Sequence, residues 1–396
     1  MDGRDGFRVP LWRGIFYLLM ALGLPLLYLR YTRGLGAVSN LSDQFPWGLW
    51  IGFDLLCGVG LAAGGFTLTA AVYLFHLKRF QPIVRPTVLT AFLGYLMVIG
   101  ALLIDLGKPW NIWHPLVMWN PSSVMFEVAW CVMLYTTVLA LEFSGVVFER
   151  LGWNRALTWQ RAATLPLVLA GVLLSTLHQS SLGALYLIIP AKLHPLWYTP
   201  ALPWMFWTSA VAVGLAMVVV ESRISSRAFG RPIEMHLLTE IARVLLVALG
   251  VYAVLRIYDL AHRGVLAEVF RPTYEAGMFG LEFLLGVLLP FALLLSPKTR
   301  TSIRRLYPTA LLAVMGFLVN RLNVSVTGLE RSSGTHYVPA WSEIALSLML
   351  VAIGFGAFSL MVRYFRVYPE ESPRAAASRG APEPVRPLPA PPVRTV

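Results

Sequence analysis

The chain is poor in charge, in cysteine and in histidine, and each shortage excludes a class of protein. Asp, Glu, Lys and Arg make up 13% of its 396 residues, against about 25% in soluble domains, which excludes an ordinary water-soluble globular chain. The two cysteines, Cys57 and Cys131, lie inside apolar runs and read as small core residues. They form neither a disulfide framework nor a cluster-binding set. There is no CxxCH, no Walker loop and no GxGxxG before a strand. Of seven histidines, only His178 lies well inside an apolar run, and His76 sits at the edge of another. A membrane haem of the b type normally takes two axial imidazoles at depth, so this inventory predicts no haem and no metal in the chain.

What is abundant is apolar sequence: 57% of residues are hydrophobic and the mean hydropathy is +0.67. Apolar runs longer than about 18 residues, the length that spans a bilayer, recur throughout. They predict an all-α integral membrane protein with about ten transmembrane helices, roughly 14–31, 47–76, 83–105, 121–148, 161–188, 201–222, 237–258, 275–295, 306–325 and 341–365. Pro46, Pro121, Pro200 and Pro203 stand at helix starts, where a missing N–H costs no bond. The first run ends without a small-x-small cleavage site and reads as a retained helix. The organisation is thus a short cytoplasmic N-terminus (1–13), a transmembrane domain (14–365), and a Pro- and Arg-rich tail (366–396) too polar to build a core.

The net charge of +12 would suggest nucleic acid in a soluble protein. Here the basic residues occupy short connections between apolar runs, so orientation is the better reading and no nucleic-acid partner is expected. With ten spans, 22 of the 32 Lys and Arg fall on the side of the termini and 7 on the other. The positive-inside rule then puts both termini in the cytoplasm. The opposite loops carry Trp, Tyr, His and Pro instead, as in PWNIWHPLVMWNPSS and IPAKLHPLWYTPALPW. Those rings suit an interfacial belt against lipid and equally a docking face for a partner protein.

Ionisable residues at membrane depth are costly and point to function. By topology Asp54, Asp105, Glu127, His178 and Gln179 fall in one outer layer on four consecutive helices, shared by Arg256, Glu282 and Arg321. Glu142, Glu221 and Glu240 lie deeper or towards the cytoplasm. Glu127 and Glu142 are separated by about four turns of one helix and so share a face, as a proton ladder would require. Plainer readings exist: Glu240 and Arg243 at i,i+3 suit a local ion pair, Asp105 an interfacial cap, Glu221 a helix end among headgroups. The small residues of CGVGLAAGG on the second helix suit close helix packing. An acid and histidine layer without a redox centre of its own suits quinone chemistry, where proton donors serve the two carbonyls. The electrons then come from a partner.

Several motifs together resemble the HybB branch of the NrfD/PsrC family: PWGLWIGFDLLCGVGLAAGGF (46–66), NPSSVMFEVAWCVMLYTTVLALEF (120–143), FERLGW (148–153), LHQSSLG (177–183), KLHPLW (192–197) and VPAWSEI (338–344). The resemblance runs from about 14 to 365. It implies two four-helix bundles, helices 2–5 and 6–9, flanked by helices 1 and 10. It also implies a quinone-reactive anchor in the bacterial or archaeal inner membrane, the quinone (menaquinone or ubiquinone) being substrate. The implied partners are a periplasmic four-cluster ferredoxin-like iron–sulfur subunit and the small and large subunits of a nickel–iron hydrogenase. Asp54 and His178 match positions on the quinone side of the family, Asp105 with less exact surroundings, and Glu127 and Glu221 match its membrane acids of proton transfer; topology adds Gln179 to the quinone headgroup and Glu142 to the proton route. The family label of b-type cytochrome implies haem, against which the histidine inventory speaks. An anchor for a polysulfide, molybdenum or sulfur-metabolism enzyme remains open, as does a secondary transporter, which would also place carboxylates at depth.

Overall fold

The computed structural model describes residues 11–368 apart from Pro190 and Arg231; most of the predicted N-terminal segment and tail lies outside these residues. Among them there is no strand. Ten helices are long and apolar enough to cross a membrane: α1 (Leu11–Arg33), α2 (Trp50–Leu74), α3 (Lys78–Asp105), α4 (Val124–Leu151), α5 (Asn154–Ile188), α6 (Leu202–Phe229), α7 (Met235–His262), α8 (Tyr274–Leu295), α9 (Ile303–Ser333) and α10 (Trp341–Tyr364). The chain is a multi-pass membrane protein. The loops after α1, α3, α5, α7 and α9 form an aromatic side; the others form a basic side.

The packing follows from which faces are buried. Helices α2 to α5 close into one four-helix ring and α6 to α9 into a second. The rings join where α6 packs on α2 and α5, and where α9 meets α2. Helices α1 and α10 lie together, α10 against α3. This is the two-bundle arrangement that the family resemblance implied.

Small residues set the closest crossings. A Cβ on Gly316 of α9 would sit 1.9 Å from Cα of Gly286 on α8, so the two backbones touch there. Gly64 of the CGVGLAAGG stretch meets Gly214 of α6 backbone to backbone, and Gly60 faces the ring of Phe317. Lipid offers no hydrophobic drive for helix association, so such contacts carry the bundle junctions.

Helix ends have local causes. Ser123 accepts from the N–H of Phe126 to start α4. Gly152 (φ 70) and Gly230 (φ 67) end α4 and α6 in the left-handed region that glycine adopts without strain. On the basic side Arg85 and Glu149 form a two-bonded pair (2.8 and 2.9 Å) between α3 and α4. Glu240 does not pair with Arg243, as its spacing suggested. Arg79, in the first turn of α3, reaches it at 2.9 Å, while Arg243 points outward.

Four stretches widen into π-helical turns: Trp50–Cys57, Ala70–Leu74, Leu284–Leu288 and Asn323–Thr327. Such turns often mark functional positions. Three of them adjoin or contain the buried polar residues described next.

Candidate functional site

The interior of the first bundle is built around two consecutive residues of α5. Successive helical residues point about 100° apart. His178 therefore faces α3, Gln179 faces α2, and Leu177 points out of the bundle. His178, Gln179 and Tyr95 of α3 are all fully buried. The Tyr95 hydroxyl lies 2.8 Å from His178 Nδ1. Tyr135 of α4 packs edge-on against Tyr95, with centroids 4.7 Å apart. Gln179 Nε2 donates to the carbonyl of Val59 on α2 at 3.1 Å. Several polar atoms here remain without a hydrogen-bond partner: His178 Nε2, Gln179 Oε1 and the hydroxyls of Tyr135 and Ser175. Buried polar atoms are nearly always satisfied, so each is a place for a water or a ligand atom.

The carboxylates of the predicted layer divide into separate groups. Asp54, inside the π-helical start of α2, accepts from Ser347 of α10 at 2.5 Å. Asp105 ends α3 beside Arg30, which is buried within α1. Arg30 donates to the carbonyls of Ile104 (2.6 Å) and Leu106 (2.5 Å), capping α3. Asp54 and Asp105 therefore gather on the α10 side of the bundle, away from His178. Glu127 stands in the first turn of α4 with an exposed side chain, and accepts from Ser181 of α5 at 2.5 Å. Glu142 is half-buried on α4 and faces Gly171 of α5. Glu221 of α6 is half-buried beside Thr90 of α3.

Sequence reasoning missed two residues. Tyr95 carries no local signal, since a tyrosine in an apolar run also suits a lipid-facing belt. Glu343 was quoted only within a motif, yet it is fully buried. It accepts from the N–H groups of Asn40 (2.8 Å) and Ala340 (3.1 Å) and from the Tyr337 hydroxyl. Tyr337 in turn accepts from the N–H of Leu49 at 2.9 Å. Burial and the Glu343 carboxylate push the Tyr337 phenol up, so it stays a donor. Glu343 thus ties the loop before α2 to the start of α10, and with alanine at the cap position no capping-box pattern in the sequence marked it.

The second bundle holds a different cluster. Glu282 of α8 accepts from Trp197 Nε1 (3.1 and 3.2 Å), Asn320 (3.1 Å) and Asn323 (2.6 Å), and Arg256 of α7 lies 3.9 Å away. Arg256 also donates to the carbonyl of Leu196 at 2.8 Å. Arg321 of α9 donates to Asn320 (2.8 Å), Ser209 (2.8 Å) and the carbonyl of Phe206 (3.2 Å). Its guanidinium lies 3.6 Å from the centroid of Phe206 and 4.3 Å from that of Phe317. A cavity of about 30 Å³ beside Glu282, Ser209, Tyr252 and Asn320 has room for a water or two.

Comparison with known proteins places these residues in a family. The family model described as "Polysulphide reductase, NrfD" matches residues 37–332. The chain is 40% identical to a protein of Nitratidesulfovibrio vulgaris, over 84% of this chain and 88% of that one. It is 35% identical to the "Probable Ni/Fe-hydrogenase 2 b-type cytochrome subunit" of Escherichia coli, over 90% of this chain and 92% of the other. It is 28% identical to the "Menaquinone reductase, integral membrane subunit" of N. vulgaris, over 91% and 92%.

The second of these corrects the expectation of a chain without haem, because the name given to that relative is that of a b-type cytochrome, a haem protein. The histidine inventory assumed two axial imidazoles. A single histidine can hold a haem iron, and His178 Nε2, buried and without a protein partner, is a nitrogen of that kind. Matched over most of its transmembrane region and by relatives along nearly its whole length, the chain belongs to the NrfD family of membrane proteins.

Proposed function

We propose that the chain is the quinone-reactive membrane anchor of a respiratory oxidoreductase, and that this oxidoreductase is a hydrogenase. The names of the relatives support both halves of the reading, one a hydrogenase subunit and one a menaquinone reductase subunit. The aromatic side faces the periplasm and the basic side the cytoplasm, as the charge split supports. A periplasmic iron–sulfur subunit docks on the aromatic loops, where Trp110, Trp113 and Trp119 project, and links the chain to the nickel–iron subunits.

The quinone headgroup lies at His178 and Gln179. The observation that carries this is the unpartnered Nε2 of a fully buried imidazole in the aromatic-side half of the first bundle. An N–H there can hold a carbonyl oxygen and deliver a proton as electrons arrive. Asp54 and Asp105 lie on the α10 side, apart from His178, and take no part in holding the headgroup. Glu142 and Glu221 lead protons from the cytoplasmic half, and Glu127 with Ser181 borders the outer end. A haem on this chain would take the same His178 nitrogen in place of the quinone and would supply one-electron transfer.

The test is quinone-linked turnover of the purified complex with a water-soluble menaquinone analogue. His178→Gln should abolish it, a loss of about 100-fold or more, while the iron–sulfur partner still co-purifies. Unchanged turnover in that variant removes the site. A haem absorption band present in the complex and lost in His178→Gln assigns the nitrogen to iron instead.

A further inference from the structure

We propose that Gly171 of α5 keeps open a water position through which Glu142 passes protons to the Tyr95–His178 pair, by way of the hydroxyls of Tyr135 and Ser175. The route rests on the quinone site just described, since it ends there. Two facing stripes of residues carry it. On α4, Tyr135, Glu142 and Glu149 recur every seven residues, close to two turns, and so share one face. On α5, Gly171, Ser175 and His178 follow at intervals of four and three and share another. The two helices pack along each other. Glu142 lies opposite Gly171, and Tyr135 lies level with His178, both rings against Tyr95.

A hydroxyl inside a helix commonly donates to a carbonyl three or four residues back. Those of Thr67, Thr87, Thr136, Thr164 and Ser181 do so. Ser175 does not. Its hydroxyl is buried and without a partner, and it faces the hydroxyl of Tyr135, which is equally buried and unpartnered. Beside them the chain leaves a gap. A Cβ on Gly171 would lie 3.7 Å from Glu142 Oε1, 3.7 Å from Tyr135 Cε2 and 3.5 Å from Val138 Cγ1. The glycine is required neither by a positive φ nor by a close backbone crossing, in contrast to Gly316. What it provides is room for about one water between the carboxyl and the phenol. Such a water needs two to four polar partners, and the Glu142 carboxyl with the two free hydroxyls supplies them.

The proton balance follows the geometry. When His178 gives its Nε2 proton to the ligand oxygen, Nδ1 takes the proton of the Tyr95 hydroxyl, 2.8 Å away. The Tyr95 oxygen regains one from the water held by Tyr135 and Ser175, and that water regains one from the Glu142 carboxyl. One proton leaves Glu142 for each one that reaches the ligand, while the electrons come from the iron–sulfur partner. Glu142 is half-buried two turns inside the Arg85–Glu149 pair, so it is recharged from the basic side. Gly171, Ser175 and Tyr135 are positioning residues: they hold the water and do not touch the ligand.

The experiment measures turnover of the intact complex with the water-soluble menaquinone analogue, in light and in heavy water. Gly171→Ala fills the gap with a methyl at ordinary contact distances, so the variant folds and keeps its partner. Its kcat should fall about tenfold or more, with KM within about twofold and a larger solvent isotope effect than the unsubstituted complex. Gly171→Ser is bulkier but puts a hydroxyl within reach of Glu142, and it should recover most of the lost rate. A packing role would make the serine the slower of the two. An unchanged kcat in Gly171→Ala, or a Gly171→Ser complex no faster than Gly171→Ala, overturns the proposal. If His178→Gln still abolishes turnover in that case, the quinone site stands and only its proton route is lost. If His178→Gln is also silent, the site itself falls.

Should Gly171→Ala fail to assemble, Ser175→Ala and Tyr135→Phe decide the matter, each removing one hydroxyl and little else. Both should lower kcat and raise the solvent isotope effect while KM stays within about twofold. An unchanged kcat in both overturns the proposal.

Discussion

The two four-helix bundles pair buried polarity differently, although each keeps some unpartnered atoms, Nε of Arg256 and of Arg321 in the second. In the second, every oxygen of Glu282 is taken: Trp197, Asn320 and Asn323 donate to it and Arg256 balances its charge. Arg321 is held by two oxygens from side chains, one carbonyl and two aromatic faces. In the first, the polar residues at the centre are neutral and incompletely paired, with His178 Nε2 and Gln179 Oε1 left over. A saturated carboxylate network fixes a structure; an unsaturated neutral pair waits for a ligand. The carboxylate with the most partners is thus the poorer candidate for chemistry, although at the level of sequence Glu282 and His178 look alike.

The comparison breaks most sharply at Glu282. Glu282→Leu leaves Arg256 buried without its counter-charge, and removing one member of a buried pair costs about 3–5 kcal/mol. Size-exclusion of the detergent-solubilised protein should show loss of the folded peak, whereas His178→Leu, which strands no charge, should retain it. Equal folded yields for both would end the contrast between a structural and a functional bundle.

A smaller effect tests the packing that holds the second bundle shut. Gly316→Ala places a methyl on the backbone of Gly286 and should lower stability by about 1–3 kcal/mol through overpacking. Gly277→Ala on α8 meets nothing within 4 Å and should be neutral or stabilise by up to about 1 kcal/mol through helix propensity. Thermal unfolding of the two variants orders them. A Gly316→Ala protein as stable as Gly277→Ala would mean that the α8–α9 contact is not tight.

The smallest expected effect concerns the loop that joins the bundles. His194 is buried there against Trp197, with Nδ1 accepting from the N–H of Leu196 at 3.2 Å. Burial lowers its pKa, with Glu275 opposing. The unfolded chain therefore binds the proton more readily than the folded one. The stability this gives is present above about pH 6.5 and is lost as the pH falls below it. Amide exchange at 193–198 should quicken between neutral pH and about pH 5, and His194→Gln should flatten that dependence. A pH response that survives the substitution would assign it elsewhere.

Much of this architecture could be read from the chain, and the misses have physical causes. The ten runs appear as helices within a few residues at most ends, because apolar length is a local property. Helix α9 runs on to Ser333, beyond the expected 325, because the π-helical turn Asn323–Thr327 carries it through a polar stretch. Helix α6 continues to Phe229 until Gly230 permits the left-handed turn. The i,i+3 spacing of Glu240 and Arg243 pointed to the wrong partner, because a residue of another helix, Arg79 of α3, pairs with Glu240 instead.

For this protein the sequence by itself determined the membrane class, the ten crossings, the basic and aromatic sides and the approximate depth of each ionisable group. Those follow from hydrophobic length, charge count and helical rise, which need no knowledge of neighbours. Only the tertiary structure decided which groups share a site. Azimuth around a helix and the identity of the facing helix separate Asp54 and Asp105 from His178, expose Glu127, and bring Tyr95 to His178 Nδ1. A hydrogen bond depends on two atoms within about 3 Å of each other, and no periodicity in one strand of sequence specifies that.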